Sequence, residues 1–75
     1  MARLPALTAK KIIQALKRKG FIEDRQKGSH LMMIHPYTKA RTVIPVHRGK
    51  SLKRSLVFGI INDAQITVEE FLKLL

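Results

Sequence analysis

The hydrophobic period changes at Gly20, and that change narrows the folds open to the chain. Before it, Ala9, Ile12, Ile13 and Leu16 fall on one stripe while Lys10, Lys11, Gln14, Lys17 and Arg18 point outward, as in an amphipathic helix. Thr8 can cap its start, Lys17, Arg18 and Lys19 suit the negative end of its dipole, and Gly20 can end it at about Lys19. After Gly20 the pattern is that of a hairpin. Phe21 to Gln26 reads as a short strand, Lys27-Gly28 as a tight turn with the glycine at positive φ, and Ser29 to His35 as a second strand.

Pro36 closes that strand, Tyr37 to Ala40 is a polar loop, and Arg41 to His47 gives a third strand in which Pro45 argues for an edge position. Arg48 to Arg54 is a basic loop. From Ser55 a second helix carries Leu56, Val57, Ile60, Ile61 and Ala64 on one face, with Gly59 inside it. Thr67-Val68-Glu69-Glu70 is a capping box, and Val68, Phe71, Leu72 and Leu75 give a last short helix an apolar side. The order is α-β-β-β-α with a short C-terminal helix. That is an α+β fold, a three-stranded antiparallel sheet with helices on one face and the other face free. No repeat or linker divides the chain, so residues 1–75 are expected to form one domain.

A chain of 75 residues buries a small fraction of its surface, so a large enclosed pocket is not expected. It holds no cysteine, which removes disulfides and thiolate metal sites and leaves stability to packing. The apolar runs are too short to cross a bilayer and the start lacks a signal-peptide core, so the expected location is the cytoplasm. Charge says more. Residues 1–62 hold fourteen Lys and Arg against Glu23 and Asp24, a net +12, while residues 63–75 carry Lys73 against Asp63, Glu69 and Glu70, a net −2. A field of one sign on so small a body concentrates polyanions, nucleic acid first among them. No basic helix here carries the aromatic anchors that a membrane surface would favour.

Alternation in the second strand puts His30, Met32 and Ile34 on one face and Leu31, Met33 and His35 on the other, so the two histidines point apart. Metal ligands must converge at about 2 Å, and isolated acids without cysteine give no such set. His30 follows the turn directly, beside Ser29 and near Arg25, Gln26 and Lys27, and is the best placed of the three histidines for chemistry. Histidine exchanges protons near neutrality, and RNA brings its own nucleophile in the 2′-hydroxyl. A general acid or base with a phosphate clamp is therefore enough for a minimal ribonuclease. Plainer readings stand beside this one. A histidine next to a turn is often only solvated; His35 reads as a strand-end residue, and His47 as the same or as a phosphate contact. Met32 and Met33 read as fillers on the two faces. Ser29 suits turn chemistry or a hydrogen bond to phosphate better than nucleophilic attack. Lys50, Lys53 and Arg54 are either a solvated cluster or, ahead of a helix, a phosphate seat.

Taken together, "GF" at Gly20-Phe21, "RQKGSH" at Arg25 to His30, "HP" at His35-Pro36, "VIPVHRGK" at Val43 to Lys50 and "ITVEEFLKLL" at Ile66 to Leu75 resemble the HicA toxins of HicA-HicB toxin-antitoxin modules. The likeness runs in register over nearly the whole chain. It implies a fold like the double-stranded-RNA-binding domain and a ribonuclease that needs no metal or cofactor and cuts translated messages. It assigns the essential histidine to His30 and the motif glycine to Gly28, and it implies a HicB antitoxin that covers both histidine and basic surface. On this reading Arg25, Lys27, Lys50, Lys53 and Arg54 hold phosphates, with Lys10, Lys11 and Lys17 extending that surface. His35 and His47 are secondary candidates. The chain departs from the family at Ser55-Leu56-Val57, where Gly-Thr-Leu is usual, at Ala64-Gln65 in place of Ala-Gly, and at Phe58, where a charged residue is common. Ser55 is expected to cap the second helix and Phe58 to expose an aromatic ring. The rival reading is a non-catalytic binder of structured RNA with the same fold and charge. A third is an interaction module that depends on its partner for stability.

Overall fold

Helix α1 (Ala9–Lys19) begins and ends as its sequence dictates in the computed structural model, which describes residues 3–75. The Thr8 hydroxyl accepts from the Lys11 N–H at 3.4 Å. At the other end Gly20 takes φ +109, its N–H reaching the Leu16 and Lys17 carbonyls, and the Phe21 N–H closes on Leu16 at 3.0 Å. Phe21 is buried against that turn.

The chain then forms β1 (Ile22–Lys27), β2 (His30–Ile34) and β3 (Arg41–Pro45), one antiparallel sheet in the order β1-β2-β3. The turn consists of Gly28 and Ser29, not Lys27 and Gly28: Lys27 pairs with His30 as the last rung of β1. Of these two turn residues only Gly28 has positive φ, +58. A Cβ there would meet nothing within 4 Å, so the backbone angle alone favours glycine at this position. β3 lies at the edge, as Pro45 suggested, but stops at that proline, and the expected extension to His47 is loop.

Helix α2 (Arg54–Asp63) starts one residue before the expected Ser55. Its N-cap is Lys53, with no side-chain cap hydrogen bond, so Ser55 lies inside the helix and does not cap it. Val57, Ile60, Ile61 and Ala64 are buried, whereas Leu56 is 40 % exposed. At 100° per residue Leu56 sits about 90° from the centre of that stripe, too far round to reach the core. Phe58 is 45 % exposed. In α3 (Val68–Lys73) the capping box forms in full, with Glu70 N–H to the Thr67 hydroxyl at 3.1 Å and Thr67 N–H to the Glu70 carboxylate at 3.0 Å. Phe71 is buried and Val68 and Leu72 half-buried, while Leu75 lies beyond the helix and is exposed.

The helices cover one face of the sheet, α1 and α2 lying against β3. Ile12 and Leu16 of α1 meet Leu31, Met33 and Ile44 of the sheet, Val57, Ile60 and Ile61 of α2, and Phe71 of α3. Each such fully buried side chain contributes about 1.5–3 kcal/mol before entropy is counted. Leu4, Leu7 and Leu52 join this core. The Leu52 N–H donates to Leu7 at 2.8 Å beside a Thr8–Ser51 bridge, which draws the segment ahead of α2 onto the start of α1. Among the described residues no helix is long and apolar enough to cross a membrane.

Candidate functional site

The face of the sheet away from the helices is laid out by cross-strand pairing. Lys27 stands opposite His30 and His30 opposite Pro45; Arg25 is level with Met32 and Val43; Ile22 is level with Ile34 and Arg41. Side chains so paired share a face with Cβ atoms about 4.5–5.5 Å apart. One irregularity makes this arrangement possible. The register shifts between Glu23 and Arg25, leaving Asp24 as the extra residue of a bulge, and so Ile22, Arg25 and Lys27 all share the face of His30.

His30 itself is exposed and its ring makes no hydrogen bond among the described residues. The turn beside it is held from two sides. The Gln26 side-chain amide donates to the Gly28 carbonyl at 3.3 Å, and the Val46 N–H donates to the Ser29 carbonyl at 2.6 Å. The outcome is an accessible imidazole on a fixed corner, with one lysine directly across and an arginine one rung further. Such a ring can give or take a proton while the two cations hold an anion.

His35 has a different place and different bonds. It lies five residues on, about 17 Å along the strand direction. Its Nδ1 accepts from the Tyr37 and Thr38 N–H groups, both at 3.2 Å. Two donors on Nδ1 assign the ring proton to Nε2, which faces the Lys19 carbonyl at 3.3 Å. The ring meets Phe21 edge-on with centroids 5.1 Å apart. His35 thus ties the end of α1 to the loop after β2, as a strand-end residue would.

The remaining cations divide between two places. Lys10 and Lys17, two turns apart on α1, face His47, Arg48 and Gly49 across an open groove of about 690 Å³ floored by Ala9, Ile13 and Val46. Lys17 also pairs with Glu23 at 2.7 Å, an exposed contact of a kind that contributes about 0–1 kcal/mol. Lys50, Lys53 and Arg54 are exposed just beyond, in the segment that the Leu52–Leu7 bond brings to the start of α1. Lys11 turns away from this group. It lines a smaller cleft with Pro5, Arg18 and Leu75, where the Arg18 guanidinium donates to the Leu74 carbonyl at 2.6 Å.

Sequence reasoning gave no functional weight to Arg41 or Arg48. Strand alternation from Val43 could have put Arg41 on the open face; nothing local could have put Arg48 on a groove wall. Among the described residues no three His, Cys, Asp or Glu gather as metal ligands would.

A family model described as the HicA toxin of bacterial toxin-antitoxin matches residues 9–66, from the first residue of α1 to the segment before α3. No curated protein matches the chain.

Proposed function

The chain belongs to the HicA toxin family and is the toxin of a toxin-antitoxin system, and from that premise we propose that it is a metal-independent endoribonuclease that cleaves mRNA through His30. The observation that carries the reading is the corner at the end of the hairpin: an exposed imidazole, a lysine paired directly across from it, and Arg25 on the same face. In this mechanism an RNA phosphate sits against Lys27 and Arg25. His30 takes the proton from the neighbouring 2′-hydroxyl as its oxygen attacks phosphorus. The bond from phosphorus to the 5′-oxygen breaks, and that oxygen leaves with a proton from water or from the newly charged imidazole. The products are a 2′,3′-cyclic phosphate and a free 5′-hydroxyl. Gly28 and Ser29 keep the corner narrow enough for the strand to approach, and the cations offset charge gathering on the phosphorus oxygens.

The same face suits a HicB-type antitoxin. Ile22 and Val43 are exposed on it and Met32 and Ile34 half-exposed, ringed by Arg25, Lys27 and Arg41. An apolar centre with a charged rim is the anatomy of a protein interface. An acidic partner would be steered to a chain of net charge +10 and would bury His30 as it docked. A toxin acting on translated messages works in the cytoplasm.

End chemistry tests the reading. A long message incubated with the chain in excess EDTA should yield fragments with cyclic phosphate and 5′-hydroxyl ends. Fragments bearing 5′-phosphates would refute attack by the 2′-hydroxyl. Intact RNA in a retarded complex would favour the binder of structured RNA.

A further inference from the structure

The groove between α1 and the segment after β3 has no role in the chemistry just described. Its floor is apolar, made of Ala9, Ile13 and Val46, and its rim carries Lys10 and Lys17 on one side and His47 and Arg48 on the other. Gln14 supplies an amide with both a donor and an acceptor. No carboxylate lines it. Glu23 reaches only the Lys17 ammonium from outside, in an exposed pair that an incoming anion can displace. The volume, about 690 Å³, falls among clefts that hold small ligands. A ligand that satisfies both floor and rim has a flat apolar body and an attached anion.

One backbone hydrogen bond ties the groove to the proposed catalytic corner. Val46, part of its floor, donates its N–H to Ser29, the residue next to His30. His30 itself points to the opposite face of the sheet, so a strand cut there would pass round the Gly28-Ser29 turn to enter the groove. Lys10 and Lys17 are seven residues apart, about 10 Å along the helix axis, and bracket its length.

We propose that this groove is a nucleotide subsite. It rests on the reading of the chain as an RNA-cleaving toxin, and it would take a nucleotide flanking the cut. The base lies on Ile13 and Val46, its edge within reach of Gln14, and the phosphate is held between Lys10, Lys17 and Arg48, with His47 as a further donor. A free nucleotide has the same chemistry as a residue of the strand, and the test separates the two.

The test uses binding, so that it stands whether or not the chain cleaves. The His30→Ala protein is titrated with a labelled single-stranded RNA, with and without the pair Lys10→Ala and Arg48→Ala, two exposed positions whose loss should leave the fold intact by circular dichroism. The pair should weaken binding about tenfold and lower the slope of log K against log salt by about 1.4, as expected for two phosphate contacts on a single strand. The Ile13 and Val46 methyl resonances of His30→Ala should move on adding RNA. Movement with a mononucleotide at similar concentration would identify a free nucleotide as the ligand; movement only with the oligonucleotide would identify a residue of the strand. Unchanged affinity and salt slope with still methyls would overturn the subsite. So would methyls that move with poly-glutamate and not with RNA, which would make the groove a protein-docking surface. Absence of cleavage by the parent protein, with these binding results intact, would fault the catalytic reading and spare the subsite.

Discussion

Replacing His35 with alanine should unfold the protein earlier without touching its chemistry. The ring meets Phe21 edge-on at 5.1 Å, a contact that contributes about 0.5–1.5 kcal/mol beyond area. Its nitrogens hold the Tyr37 and Thr38 N–H groups and the Lys19 carbonyl at 3.2–3.3 Å. Water can take over part of that bonding because His35 is half-buried, which leaves about 1–2 kcal/mol for the three contacts together. The total is about 1.5–3.5 kcal/mol, against about 4–11 kcal/mol for the whole of a chain this size. In a domain of 60–100 residues, that loss lowers Tm by about 6–28 °C. Thermal unfolding followed by circular dichroism reads the shift, and RNA cleavage assayed well below both Tm values reads the chemistry per folded molecule. His30→Ala should behave in the opposite way: stability within about 0.5 kcal/mol of the parent, because the side chain is exposed, and no cleavage. A His35→Ala protein with parental Tm and no cleavage would refute the division of labour between the two histidines.

Gly20→Ala should cost about 2 kcal/mol or more, read as a fall in the urea midpoint, since it forces a side chain to φ +109 and puts a Cβ 3.0 Å from His35 Nε2. Thr42→Val should hold or raise Tm, by up to about 1 kcal/mol of stability, because the Thr42 hydroxyl is buried on the helix side of the sheet with no hydrogen-bond partner. The Thr67 N–H, and after it the Lys19 ammonium, hold the Glu70 carboxyl below its ordinary 4.5, so the stability it lends is present above that pH and lost as pH falls through the lowered value. Melting curves of parent and Glu70→Gln should accordingly differ at pH 7 and draw together as pH falls through that lowered value.

Much of the fold is legible because it is local. Thr8, Gly20 and the Thr67–Glu70 box act within a turn of themselves, and their caps form where the residues stand. Strand alternation likewise separates His30 from His35. What escaped depends on distant partners. The turn falls on Gly28-Ser29 because Lys27 finds a rung opposite His30 and Val46 fixes the Ser29 carbonyl. The Asp24 bulge leaves no mark in composition, yet it aims Arg25 and Lys27. Ser55 loses the capping position to Lys53, next to the stretch where Leu52 is pinned to Leu7, a contact 45 residues away in the chain. The basic residues could be counted in advance, but their division between the His30 corner, the α1 groove and the cleft by Leu75 follows from packing alone.

In the proposed mechanism one exposed histidine on the hairpin corner cuts RNA. The most direct test is the cleavage rate of a long single-stranded message by the parent and by His30→Ala, side by side in excess EDTA, with both proteins shown folded. Fragments from the parent and a loss of at least about a hundredfold in rate for the variant are expected, the scale of a general acid or base. Equal cleavage by the two proteins would contradict that mechanism.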